Sequence, residues 1–150
     1  MRIGIITSNT ISIRPDAKRG TEIFAHSLIT HLAKRAEQDN LRITAFASGD
    51  SDLPVPIESV YPQATYLTDT IPMNKYIIFE LALLSKAFSA QKEFDLFHVN
   101  IGDGDIALPF LPFVEKPVLV TLHNTAHEDY VGKYFSIFKD LPNVFFVSVS

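Results

Sequence analysis

Arg2-Ile3-Gly4-Ile5-Ile6-Thr7, directly after Met1, is the stretch that decides the fold. The run is rich in β-branched residues and apolar at nearly every position, with no alternation between apolar and polar side chains. A strand with one face in water alternates with period two, whereas a strand buried on both faces does not. Residues 2–7 therefore predict a central strand of a parallel sheet. Parallel strands need crossover connections, which are usually helices. The rest of the chain supplies them.

A polar, loop-like stretch, residues 8–19, separates this strand from Gly20-Thr21-Glu22, which opens a helix. Phe24, Leu28 and Leu32, flanked by Ala25, Ile29 and Ala33, recur at helical spacing. Lys34 and Arg35 fall in the last turn, where cations suit the helix dipole, and Asp39-Asn40 ends it. Residues 41–47 read as a second strand, followed by the turn cluster Ser48-Gly49-Asp50-Ser51-Asp52. Residues 57–61 and 64–67 read as short, weaker strands. Residues 73–88 form an apolar helix whose most apolar stretch, 76–84, is broken by Glu80. Residues 94–99, 117–122 and 144–149 are three further strands. Between them lie a short helix at 105–114, limited by Pro109 and Pro112, and a helix at 129–139. Strands alternating with helices imply right-handed crossovers and an α/β, Rossmann-like parallel sheet with helices on both faces. The 150 residues contain no internal repeat or linker and suit a single domain.

Composition narrows the function. At 47% hydrophobic and 20% charged, the chain has an ordinary globular balance. Its net charge of −4, from 13 Lys and Arg against 17 Asp and Glu, comes without the basic stripe of a nucleic-acid binder. The absence of cysteine removes a disulfide framework, a thiolate zinc site and a Cys nucleophile. It also fits a reducing cytoplasm. The first apolar run is too short for a signal-peptide core, and no apolar stretch reaches the ~18 residues of a spanning helix. A cytoplasmic location is the expectation.

In an open parallel sheet, ligands bind outside the carboxyl ends of the strands. Here those ends are Thr7-Ser8-Asn9, Ala47-Ser48-Gly49-Asp50, His98-Val99-Asn100, His123-Asn124 and Ser148. His98 and His123 are expected on one rim. The first crossover carries Arg14, Lys18 and Arg19, with no neighbouring carboxylate but Asp16, and then Gly20-Thr21-Glu22. A glycine at a helix start lets an anion approach unpaired N–H groups, and Thr21 suits an N-cap. The loop is long and holds one glycine, so it is neither a dinucleotide fingerprint nor a Walker loop. His123 and His127 have helical metal-ligand spacing but no third ligand, so no metal site is expected. His26 and His31 read as surface or packing residues. Ser148 and Ser150 lack the glycines of a nucleophile elbow. Phe110, Phe113, Phe135 and Phe138 read as core, and residues 108–113 offer an apolar surface to a membrane or a partner domain.

Several segments line up in order. They are Arg19-Gly20-Thr21-Glu22, Ile43-Thr44-Ala45-Phe46-Ala47-Ser48-Gly49-Asp50-Ser51, and Phe94-Asp95-Leu96-Phe97-His98-Val99-Asn100. Then come Ala107-Leu108-Pro109-Phe110, Pro117-Val118-Leu119-Val120-Thr121-Leu122-His123-Asn124, and Val144-Phe145-Phe146-Val147-Ser148-Val149-Ser150. Over essentially the whole chain this set resembles the N-terminal domain of the family-4 retaining glycosyltransferases, which have the GT-B fold. The resemblance implies one Rossmann-like half of that fold, forming the acceptor-side wall of an interdomain cleft. It implies a nucleotide sugar as donor substrate, an acceptor of unknown identity, and neither a protein metal site nor a nicotinamide. It also implies a C-terminal, donor-binding GT-B domain with a Glu-x7-Glu motif, which these residues do not include, and hexosyl transfer by the full-length protein.

Residue by residue, Gly20, Thr21 and Glu22 match the helix start beside the donor diphosphate. Arg19 stands where the family usually has a first glycine, and its guanidinium can itself pair with phosphate. His123 matches the histidine that points at the donor sugar and is the expected catalytic residue. His98 matches the Asp-x-x-His strand end, with structural or acceptor-side duty. Asn100 and Asn124, beside the two histidines, complete the expected substrate-binding set. A stand-alone, non-catalytic Rossmann-like module that binds a ligand or a protein is the other reading, favoured by the chain's length. A receiver-like reading needs an acidic cluster after the first strand, and Thr7-Ser8-Asn9 lacks one.

Overall fold

A computed structural model of the chain describes residues 1–102, 104–123 and 129–149. Among the described residues six strands form one sheet: β1 (Arg2–Ile6), β2 (Arg42–Phe46), β3 (Ile57–Glu58), β4 (Leu96–Val99), β5 (Val118–Leu122) and β6 (Val144–Ser148). All pairings are parallel, in the order β3-β2-β1-β4-β5-β6. The α-helices are α1 (Gly20–Arg35), α2 (Tyr76–Ser89) and α3 (Asp129–Ser136). β1 lies inside the sheet, as its unbroken apolar run predicts. Ile3 and Ile5 face a layer with Ile29 of α1, Ile43 and Ala45. Ile6 faces the opposite layer, with Leu83 and Leu84 of α2, Phe46, Phe97 and Val99. Tyr134 and Phe135 of α3 pack against that second layer. Helices thus cover both faces, and the fold is α/β and Rossmann-like.

Gly4 decides how tightly the second layer closes. A Cβ at this position would stand 2.8 Å from the Phe97 ring and 3.2 Å from Phe46. The glycine lets both rings lie over the centre of β1. Gly4→Ala is expected to cost about 1–3 kcal/mol through overpacking, read as a lower urea midpoint with an unchanged slope. An unaltered midpoint would mean that the rings move aside freely. Gly104 is fixed by its backbone: φ is 73°, and an added Cβ would collide with Val120.

Several expectations change in the structure. The buried stripe of α1 is Glu22, Ala25 and Ile29, with Leu32 and Ala36 packed behind. The helical spacing holds: Ala25 and Ile29, from the flank of the apolar stripe, face the sheet, and Phe24 packs against His123 at the rim. Thr21 is not the N-cap. Arg19 takes that position with extended backbone (φ −104°, ψ 143°) and no side-chain capping bond. Residues 64–67 are not a strand but a 3-10 helix, Thr65–Leu67. The amides of Thr65 and Tyr66 bond to the carbonyls of Asn9 and Thr10, so they are spent on the rim rather than on a sheet edge. β3 shrinks to two residues, flanked upstream by Pro54 and Pro56, which cannot donate to a ladder. Residues 73–75 form a 3-10 turn before α2.

Asp105–Phe113 is a 3-10 helix, because Pro109 and Pro112 lack the N–H that an α-helix would use. It buries Leu108 and Leu111, leaving Pro109, Pro112 and Phe113 outward. Phe113 is 80% exposed and is not core. β6 forms a sheet edge with Phe145, Phe146 and Val147 exposed. Among the described residues no helix is long and apolar enough to cross a membrane.

Candidate functional site at the carboxyl rim

The chain builds outward from β1 to β2 and β3, then returns to the other side of β1 as β4. The direction of growth reverses between β1 and β4, which opens a crevice at their carboxyl ends, the usual ligand position in such sheets. Everything at this rim depends on where residues 8–14 go after β1.

Two carboxylates hold that segment, and the sequence reading assigned neither. Glu80 of α2 is 5% exposed although charged. Its Oε1 accepts hydrogen bonds from the Ser8 hydroxyl at 2.6 Å and the Thr10 amide at 2.8 Å, and its Oε2 accepts the Asn9 amide at 2.9 Å. The residue that breaks the apolar run of α2 therefore closes the turn after β1. Asp50, after β2, accepts the Ser12 hydroxyl at 2.7 Å and the Ala64 amide at 2.9 Å. Burial pushes its carboxyl up, but hydrogen bonds from Ser12, Ser48 and the amide of Ala64 together hold it below the ordinary value. Arg14 donates through Nε and Nη2 to the Asp50 carbonyl. Ile13 is buried against Ala25 and Ala47. The first half of the loop is thus packed onto the domain itself, more firmly than its polar sequence suggests.

His98 and His123 meet on the α1 side of the sheet. In β4, Phe97 and Val99 face the α2 layer, so His98 between them faces α1. In β5, Val118 and Val120 face the α2 layer, so Thr121 faces α1. His98 Nε2 and Thr121 Oγ1 are 2.7 Å apart and share a hydrogen bond. His123 follows β5, and its ring packs edge-on against Phe24 of α1, centroids 5.1 Å apart. Burial, and then the charge of His123, lower the His98 imidazole to about 4. At neutral pH His98 is an uncharged hydrogen-bonding group, not a cation. Asp95, at the other end of the Asp-x-x-His segment, accepts the Arg2 amide at 2.7 Å and its guanidinium at 3.0 Å. This pairing lowers its carboxyl to about 2 and pins β4 to the start of β1.

The expected site residues divide as follows. Arg19 and Gly20 are exposed at the start of α1, Thr21 is half-buried and Glu22 is buried. Asn100 is buried after β4; its amide N–H donates to the Ile6 carbonyl at 2.8 Å, and its side-chain amide has no hydrogen-bond partner among the described residues. The same holds for the side chain of Asn9 after β1 and for Thr65 Oγ1. Buried polar groups are normally bonded, so the switch point holds hydrogen-bonding capacity that the fold does not consume. Asn124, His127, Glu128 and Ser150 lie outside the described residues. Among the described residues, no three His, Asp or Glu gather as metal ligands.

Two of the cavities bear on the ligand position. One of about 240 Å³ lies at the rim, lined by Ile11, Ala17, Lys18, Arg19, Glu22 and Tyr66. A larger one of about 440 Å³ lies at the opposite side of the domain, between α1 and the start of β2, lined by apolar residues with Arg42 and Thr44. Both combine apolar walls with polar groups. The rim cavity lies at the carboxyl ends of the strands, where open parallel sheets bind ligands, and is the candidate for that reason. No protein-family model matches the chain, and no curated protein matches it.

Proposed function

We propose that the chain is the acceptor-side domain of a nucleotide-sugar-dependent retaining glycosyltransferase of GT-B type, working with a second, donor-binding domain. The observation that carries the reading is the gathering of His98, Thr121 and Phe24-packed His123 on the same sheet face, behind the uncapped N-terminus of α1, at the switch point. The order of motifs that resembles family-4 enzymes supports it. In this reading the sugar lies between the two domains. His123 contacts the donor sugar, and His98, neutral and tied to Thr121, keeps that side of the rim in shape. Most groups that stabilise the departing diphosphate belong to the donor-binding domain, because charge develops there as the glycosidic bond breaks. A cytoplasmic location is part of the same reading and agrees with the cysteine-free sequence.

Radiolabelled nucleotide sugars test it. The full-length protein should transfer sugar to an acceptor, while the 150 residues alone should give no turnover above hydrolysis. In the full-length protein, His123→Ala should keep the melting temperature and lower kcat about tenfold or more. Turnover by the isolated chain would contradict the need for a second domain. A His123→Ala protein that unfolds would make His123 a packing residue.

A further inference from the structure

The cavity on the opposite side of the domain lies against a bare piece of sheet edge. In β2 the Arg42 amide donates to the Met1 carbonyl, and the Phe46 carbonyl accepts the Thr7 amide, so the even-numbered residues bond toward β1. The odd-numbered residues bond to the other side. Ala45 does so, its amide donating to the Pro56 carbonyl at 2.9 Å. Ile43, two residues earlier, has the same orientation, so its N–H and C=O reach toward residues 54–56. Pro56 stands where a donor would continue the ladder to the Ile43 carbonyl, and it has no N–H. Among the described residues no backbone acceptor takes the Ile43 amide. Yet Ile43 is only 6% exposed. Buried backbone groups without a partner are rare. A free N–H and a free C=O on one strand residue are what a single antiparallel residue takes up, by exchanging both bonds with it.

The walls define what such a residue carries. Opposite residues of an antiparallel pair put their side chains on one face of the sheet. Ile43 faces the α1 layer, against which Ala36 and Val55 pack. Ala33, Ala36 and Val55 line the cavity, so the incoming side chain meets apolar surface. In an antiparallel pair the carboxyl end of the incoming residue lies on the Arg42 side. Arg42 lines the cavity, is exposed, and forms no ion pair among the described residues, and no carboxylate is part of the lining. A free carboxylate there accepts the Ile43 N–H beside a cation, which makes the bond charge-assisted. The end of α1 does not oppose it. The carbonyls of Ala33, Arg35 and Ala36 are taken by the amides of Ala36, Asp39 and Leu41, and Asp39 is paired with Arg35 at 2.9 Å. The nitrogen of the incoming residue donates to the Ile43 carbonyl and points on toward Pro56, where no anion would hold an ammonium, so an acylated nitrogen fits. The volume of about 440 Å³ equals about fifteen waters at ~30 Å³ each, room for one amino acid with a short acyl group.

We propose that this cavity binds an N-acylated apolar amino acid with a free carboxylate, laid antiparallel to β2 at Ile43. The site is separate from the carboxyl rim and does not depend on the transferase reading. Calorimetric titration of the chain with N-acetyl-L-leucine tests it, beside N-acetyl-L-leucinamide, N-acetyl-N-methyl-L-leucine and N-acetylglycine. These analogues lack, in turn, the carboxylate, the N–H and the apolar side chain. N-acetyl-L-leucine should bind about tenfold tighter than each of them. In the 15N-labelled chain its largest amide shift should fall at Ile43, with residues 98–102 unmoved. Arg42→Gln should bring the acid down to the affinity of its amide. Ala33→Leu, which fills the wall, should weaken binding about tenfold or more. No binding at millimolar N-acetyl-L-leucine overturns the proposal, as does equal binding of the N-methyl compound or a set of shifts centred on the carboxyl rim. Should Ala33→Leu unfold the protein, Arg42→Gln decides, because its side chain is exposed; an undiminished preference for the acid over the amide then overturns the proposal.

Discussion

Glu80→Ala is expected to lower the stability of the chain by about 3 kcal/mol, a fall in Tm of roughly 10 °C for a domain of this size. Three donors converge on the Glu80 carboxylate: the Ser8 hydroxyl and the amides of Asn9 and Thr10. Hydrogen bonds to a charged group contribute ~1.5–3 kcal/mol each, and a buried donor left without an acceptor costs ~1–3 kcal/mol. The full sum does not apply, because removing the carboxylate also removes the cost of burying it. Glu80→Gln should fall between parent and Glu80→Ala, since an amide keeps one acceptor oxygen and sets an N–H against the other donors. Urea unfolding monitored by circular dichroism measures both. A Glu80→Ala protein melting within about 2 °C of the parent would show that residues 8–10 are held by something else.

Acidification should expose a second effect of comparable size. His98 is held at about 4 by burial and by the neighbouring His123, against ~6.5 for histidine in an unfolded chain. The unfolded state therefore binds the proton more readily. Stability from this group is fully present above pH ~6.5, is lost as pH falls toward 4, and changes no further below that. The loss should approach about 3 kcal/mol. His98→Gln removes the titrating group and should flatten this limb, whatever it costs at pH 7. Asp95 acts in a lower window. Its carboxyl is held at about 2 by Arg2, so its contribution disappears only below pH ~4. A parent protein whose stability is flat between pH 6.5 and 4.5 would mean that His98 titrates normally.

The sheet was legible because β1, β4 and β5 are interior strands, whose sequences stay apolar regardless of the details of packing. Even the 5-residue β6 was legible, although it lies exposed at an edge, because its Val144-Phe145-Phe146-Val147 run carries the same signal. The short strand at residue 57 was legible in type, though not in length, whereas residues 64–67 were not. The amides of Thr65 and Tyr66 bond to Asn9 and Thr10 across the rim, and a long-range partner leaves no local periodicity. The apolar stripe of α1 was legible from its helical spacing; within it the sheet takes Ala25, Ile29 and Leu32, while Phe24 packs against His123. The apolar runs around His98 and before His123 gave their places in the sheet, although His98 lies within β4 rather than after it. Glu80 was visible only as an interruption of an apolar helix, a signal that marks a buried carboxylate without naming its partners. Asp50 was read as part of a turn, which it is, but its carboxylate reaches Ser12 and Ala64 in segments far along the chain.

The claim that the carboxyl rim is the ligand wall is tested most directly by amide chemical-shift mapping of the 15N-labelled chain. The titrant is a nucleotide sugar. Its shifts should concentrate at residues 8–22, 64–67 and 98–102, around the switch point and the start of α1. The amides of Ala33, Ala36, Ile43 and Val55, which border the cavity on the opposite side of the domain, should stay still. Shifts confined to that opposite cavity, or none anywhere at millimolar ligand, would contradict the assignment of the rim.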